Sequence, residues 1–299
     1  MNKFLLANFA AAFASLSAGV SIVATRFVIG ETDPISLAFF RYFIGAMCLL
    51  PFLAIGLKRV RLPANHIPPL IVLGIILYAY FPWSFTASLK YTTAAYGAIA
   101  LATMPIITLL IAWTMKREPL TGAKFLSVVL AFAGVVTAVS DSLFGDNPGG
   151  NYLLGISIML TASLAASIYS VFAKPFLVAY GTTLITALSM TIGMIALSPL
   201  AYGEGALSGI PDFSPLGWVA VLFLGVIGGA VQFTSYTWAL SWLAPTRVAI
   251  YLTLNPISAI FLAWPLLGEP ITVEAIIGLM LVLSGIFLVN SARQKEAAG

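Results

Sequence analysis

Charge is scarce in this chain. Asp, Glu, Lys and Arg together make up 8% of its 299 residues, against about 25% in a soluble domain. Too few ions are present to cover a watered surface, so a soluble globular protein is excluded, and a disordered chain with it. Cysteine and histidine occur once each, as Cys48 and His66. An intrachain disulfide, a Cys-rich metal centre and a His-based zinc site are therefore excluded. No Asp, Glu, Lys or His falls in the middle of an apolar stretch, which removes the groups that a buried proton relay needs. His-Glu-x-x-His, paired aspartates, Gly-x-Ser-x-Gly and a Gly-rich phosphate loop with its lysine are also missing. Neither a membrane-embedded enzyme nor an ATP-driven machine fits such a chain, and no metal or cofactor is expected.

What is present is apolar: 61% of residues are hydrophobic and the mean hydropathy is +1.04. A helix needs about 20 mostly apolar residues to cross the hydrocarbon. Ten stretches fit, at roughly 4–26, 34–57, 67–89, 93–115, 120–140, 152–173, 181–202, 215–241, 246–267 and 271–291. They are continuous and do not alternate with polar residues, so helices are expected, not a barrel. The first run is long and lacks a clean small-residue cleavage site, which reads as a span and not as a removable leader. The longest connections, 141–151 and 203–214, are too short to fold by themselves.

With the N-terminus inside, eleven Lys and Arg fall in inside segments and two, Arg26 and Lys90, outside. Lys and Arg near span ends set orientation, so both termini are expected in the cytoplasm, in the plasma (inner) membrane. The basic residues are dispersed over loops and tails, which argues against nucleic acid as a partner.

The two halves repeat. At an offset of 151, Ala98-Ile99 matches Ala249-Ile250, Pro105-Ile106 matches Pro256-Ile257, and Glu118-Pro119-x-Thr121 matches Glu269-Pro270-x-Thr272. At 148, Gly45 matches Gly193, Pro51 matches Pro199 and Arg26 aligns with Lys174. The repeats are expected at 1–145 and 146–299. Five spans per half is odd, so each half crosses in the opposite sense. The expected class is an all-α integral membrane protein of ten transmembrane helices in two inverted five-helix repeats, an arrangement common among secondary transporters.

The stretches Leu101-Ala102-Thr103-Met104-Pro105 and Leu252-Thr253-Leu254-Asn255-Pro256, each followed by Glu-Pro-x-Thr, resemble the drug/metabolite transporter superfamily, specifically its ten-helix EamA-type members. Leu37-Ala38-Phe39-Phe40-Arg41 resembles that family's arginine-containing second helix. The resemblance covers essentially the whole chain. It implies a central cavity formed by spans one to four and six to nine, with spans five and ten at the periphery, and many relatives are exporters.

Candidate residues follow from polarity at depth. Arg41 is the one ionisable group well inside a span, poised to bind a substrate carboxylate or to pair with Glu269 as a gate. Pro105 and Pro256 remove backbone donors mid-helix and are candidate hinges. Glu118 and Glu269, each before a proline, read mainly as helix N-terminal caps. Tyr78, Phe81 and Phe85 share a helical face, matched in the repeat by Gly229, Gln232 and Tyr236. Tyr251 and Asn255 lie four apart, and Ser163 begins a polar stripe with Ser167 and Ser170. Together these outline an aromatic cavity with few hydrogen-bonding groups. The expected function is a secondary transporter of a small organic solute, an amino acid or related amine, with export favoured by the resemblance. Uptake of a quaternary amine or nucleoside is the alternative, and a scaffold a remote one. Facilitated diffusion or exchange is expected, with any ion coupling at edge carboxylates such as Glu269. The expected partners are the small-molecule substrate and the lipid bilayer, with the chain a monomer or homodimer.

Overall fold

A computed structural model describes residues 3–115, 121–138, 140, 151–206, 212–252 and 254–298. Glu118, Asp141 and Asp146 lie outside the described residues. All regular structure among the described residues is helical. The helices are α1 (Lys3–Val28), α2 (Pro34–Arg59), α3 (Ala64–Tyr91), α4 in two pieces (Ala94–Leu101 and Met104–Thr114) and α5 (Gly122–Ala138). Then follow α6 (Tyr152–Tyr180), α7 (Thr182–Gly203), α8 (Pro215–Trp242), α9 in two pieces (Pro245–Tyr251 and Leu254–Leu267) and α10 (Val273–Ala298). Eight are long and apolar enough to cross a membrane. The apolar runs of α5 and α10 are shorter, Phe125–Ala138 and Val273–Gly285, so the expectation of ten spans goes beyond these eight.

Large apolar side chains such as Phe9, Phe52, Phe132, Phe261 and Phe287 point outward. A soluble fold would bury them; here the outer face is made for lipid. Helices in lipid gain nothing from burying Leu against Leu, so small residues at crossings set the packing. The α5–α10 crossing rests on Gly134 and Gly278, where a Cβ on Gly134 would stand 2.6 Å from the Gly278 carbonyl oxygen.

Helix pairing survives exchange of the two halves. α1 packs on α8 and α9, as α6 packs on α3 and α4, while α2 meets α7 and α5 meets α10. The irregularities repeat too. α3 widens into a π-helix at Ile76–Tyr80, and α8 does so at Val226–Val231. α4 breaks between Leu101 and Met104, and α9 between Tyr251 and Leu254. Pro82, just past the first π segment, lacks the N–H that an α-helix would use there. In α8 the counterpart of Pro82 is Phe233, and Gly228 and Gly229 lie within the π segment itself.

Connections gather at two ends. At one, Arg26 meets Glu269, and Glu31 accepts from the Ser214 backbone N–H at 2.9 Å and from its hydroxyl at 2.8 Å. At the other, the His66 ring lies 2.5 Å from the Tyr180 hydroxyl, Lys3 sits over Trp242, and Arg247 over Phe4. The N-terminus belongs to the second end.

Candidate functional site

The two breaks face each other near the middle of the fold, and a cavity lies between them. It is small, with room for about 50 Å³. Its walls are Ala14 and Ala18 of α1, Leu77 and Phe81 of α3, Leu101 and Met104 of α4, and Ala166 of α6. The second half supplies Gln232, Phe233 and Tyr236 of α8, and Leu252 and Asn255 of α9. Alanines on α1 and α6 let larger side chains converge from the other helices. A larger hollow of about 350 Å³ between α1, α8 and α9 has only apolar walls, from Val20 to Leu267. Only the smaller one carries the convergent polar groups that orient a ligand.

Those groups have different histories. Asn255 is fully buried, and its amide makes no hydrogen bond among the described residues. It sits one residue before Pro256, where the break turns it inward. The Gln232 carbonyl accepts from the Ser21 hydroxyl at 3.1 Å, which leaves the amide end toward the cavity. The Tyr236 hydroxyl lies 2.5 Å from that of Ser170.

Four of the residues singled out from sequence line the cavity: Phe81, Gln232, Tyr236 and Asn255. The others stand elsewhere. Tyr78 is fully buried behind the wall, edge-on to Tyr42 and Tyr169 and 5.2 Å from the Phe233 ring. Phe85 stacks on Phe81 at 5.7 Å from outside the lining. The Ser163 stripe faces the α4 break: Ser163 points at the Ala100 carbonyl at 3.5 Å, and Ser167 donates to that of Met104 at 3.2 Å. These carbonyls also accept from Thr103 and Thr108, so the serines share acceptors at the break and do not face the cavity. Tyr251 ends the first piece of α9 and donates to Asn8 at 2.9 Å, away from the cavity. Pro105 and Pro256 do not kink continuous helices. Each opens the second piece of a helix already broken two or three residues earlier. Short bonds such as Asn255 N–H to Leu252 at 3.0 Å tighten the break.

Arg41 does not meet Glu269. It is 3% exposed, donates to the Gly228 carbonyl at 2.8 Å, and lies over the rings of Tyr42 and Phe85. Glu269 instead pairs with Arg26 at 3.3 Å and accepts from the Ala94 backbone N–H at 2.9 Å. It therefore caps the start of α4, not its own following helix. Arg26 also donates to the Leu89 carbonyl at 3.1 Å. Burial pushes the Glu269 carboxyl above the usual carboxylate range, while the Ala94 N–H and Arg26 pull it back.

Phe233 also lines the cavity and is not singled out by the sequence. Phe233 touches the rings of Tyr42, Tyr78 and Phe81. Phe233 and Gln232 open the regular helix after the π segment, about 100° apart, and both line the cavity. Two aromatic residues on α2 and α8 near the repeated glycines are the only signal sequence offers.

The EamA-like transporter family matches this chain twice, over residues 5–140 and 153–291. The chain belongs to the EamA-like transporter family. It is similar to a protein of Clostridium kluyveri named an uncharacterized transporter, 27% identical over 90% of this chain and 86% of that one. A similarly named protein of Archaeoglobus fulgidus is 25% identical over 92% of this chain and 95% of its own length. The uncharacterized transporter YyaM of Bacillus subtilis is 25% identical over 91% and 89%. A solved crystal structure superposes with a TM-score of 0.67 at 20% identity, covering 94% of this chain and 96% of that one, which shows a shared fold. As an EamA-like membrane transporter, the chain has its two family matches on either side of the α5–α6 connection, and the cavity draws walls from both.

Proposed function

We propose that this chain is a secondary transporter that carries a small organic solute, an amino acid or related amine, across the plasma membrane by alternating access. Export is the preferred direction, on the family resemblance alone. The observation that carries the reading is a cavity between two similar halves, walled by their paired breaks and π-turns. Ten spans, inverted repeats and cytoplasmic termini belong to the same proposal. It is supported by helix pairing that survives exchange of halves and by the Lys and Arg surplus at the N-terminal end. In that arrangement Arg26, Glu269 and the start of α4 form a latch over one mouth. Phe81, Gln232, Tyr236 and Asn255 hold the solute, and the breaks before Pro105 and Pro256 are the hinges.

Counterflow tests it. Protein in liposomes preloaded with unlabelled amino acids should accumulate the labelled amino acid transiently, without ATP or an imposed ion gradient. Uptake no greater than in protein-free liposomes, across amino acids, amines and nucleosides, overturns it.

A further inference from the structure

One group stands out for what it does not touch. Arg41 is the eighth residue of α2, about 10 Å in from the helix start. It is 3% exposed, and its one hydrogen bond among the described residues goes to the Gly228 carbonyl at 2.8 Å. Its Nε has no partner there. A guanidinium carries five N–H donors in a planar fork and keeps its charge at physiological pH. No acidic residue occurs between Asp33 and Glu118, between Asp146 and Glu204, or between Asp212 and Glu269. The one ion pair among the described residues is Arg26 with Glu269. The chain thus places a cation in its core and offers it no counter-charge.

The surroundings join that cation to the cavity by two routes. The Gly228 carbonyl belongs to the π-helix of α8, where a wide turn frees backbone groups. A Cβ on Gly228 would stand 2.5 Å from the Ser21 hydroxyl and 3.4 Å from the Arg41 Nη2. Glycine there keeps both close, and Ser21 in turn holds Gln232, which lines the cavity. The second route is aromatic. Arg41 lies over Phe85 at 5.7 Å, and Phe85 stacks on Phe81, another wall residue. Rings over the guanidinium partly replace lost water but leave the Nε donor unsatisfied.

We infer that Arg41, set behind the wall residues Gln232 and Phe81, is the anion-binding group for this cavity, and that the solute carried bears one carboxylate on an apolar body. A carboxylate matches the guanidinium fork with two parallel hydrogen bonds. One cation calls for one negative charge, because the repeat counterpart of Arg41 is the neutral Ser189. The apolar body follows from the other walls, which are aliphatic or aromatic apart from Gln232, Tyr236 and Asn255. Those three can take an ammonium or hydroxyl on the same solute. The inference rests on the transport reading of the cavity and narrows it.

Thermal melting of the detergent-solubilised protein in chloride-free methanesulfonate buffer tests it. The probes are the standard L-amino acids, 3-phenylpropionate, the amide of each responding acid, and sodium chloride. At least one carboxylate should raise the melting temperature, and its amide should be weaker by tenfold or more in the concentration needed. Arg41→Gln should abolish the response, and Arg41→Lys should restore part of it. The acid and amide comparison needs no variant, so it stands even if Arg41→Gln fails to fold. Amides that act as well as their acids, a response surviving in Arg41→Gln, or no carboxylate acting at all would each overturn the inference. A shift produced by chloride alone assigns an inorganic anion and overturns it too. Counterflow of an amine with no response to any carboxylate would sink this inference and leave the transport reading intact.

Discussion

Asn255 is a buried polar residue whose cost to stability the proposed binding role would explain. Its amide is buried without a hydrogen bond among the described residues. An unsatisfied buried amide costs about 1–3 kcal/mol. Asn255→Leu is therefore expected to raise the melting temperature of the purified protein while abolishing counterflow; a variant that melts lower refutes the account of Asn255 as an idle polar group. Tyr78 is the contrasting case. Its ring packs between Tyr42, Tyr169 and Phe233 behind the cavity. Tyr78→Phe keeps that ring packing and should leave uptake within about twofold of the parent. Loss of transport in that variant would put the hydroxyl in the binding site.

The helices owe their close approach to glycine facing a π-turn. In α2, a Cβ on Gly45 would stand 3.2 Å from the Gly225 carbonyl and 3.4 Å from the Ala230 nitrogen, beside the π-helix of α8. In α7, a Cβ on Gly193 would meet the Tyr78 backbone at 2.5 Å, in the π-helix of α3. Neither backbone can yield cheaply. Gly45→Val and Gly193→Val should each destabilise the fold by about 1–3 kcal/mol through overpacking, Gly193→Val by more because its backbone contact is the closer. Thermal denaturation of both variants checks this, and a neutral Gly193→Val would show that the π-turn of α3 is free to move.

The two ends of the bundle differ in chemistry, and Glu269 is the titratable group where that matters. Its carboxyl is held above the usual range by burial, so it takes up a proton at a less acidic pH than an exposed glutamate. The folded state then binds more protons than the unfolded chain through that window. This group's contribution to stability is present below the window and declines as pH rises through it. Protonation also removes the charge that Arg26 pairs with. In a Cys48→Ser background, a cysteine at Met104 should react with a maleimide at a rate that rises, relative to the same cysteine in Glu269→Gln, as pH falls through the upper carboxylate range. Comparison with Glu269→Gln, labelled at the same cysteine, cancels the loss of thiolate at low pH; a parent-to-variant ratio that is flat with pH shows the ion pair does not close that end. For orientation, cysteines replacing Lys90 and Asn65, both exposed, should react with an impermeant maleimide from opposite sides of the membrane.

Composition alone put this chain in a membrane, because 8% charge cannot solvate a surface. The repeat was legible because Gly45 and Gly193, or Pro105 and Pro256, answer the same steric demand in each half. Phe81, Gln232, Tyr236 and Asn255 could be picked by helical spacing and polarity at depth. Periodicity could not say that Tyr78, Phe85, Ser163 and Tyr251 face elsewhere, or that Phe233 joins the wall. Spacing assigns a face only while a helix keeps 3.6 residues per turn. Two π-turns and two breaks reset that phase, and they are held in place by contacts between helices distant in sequence. The chain's own order of residues thus decided where it lives and that it is built twice. Which polar groups share one cavity, and that Arg41 stands beside it without a counter-charge, was decided by how the helices pack.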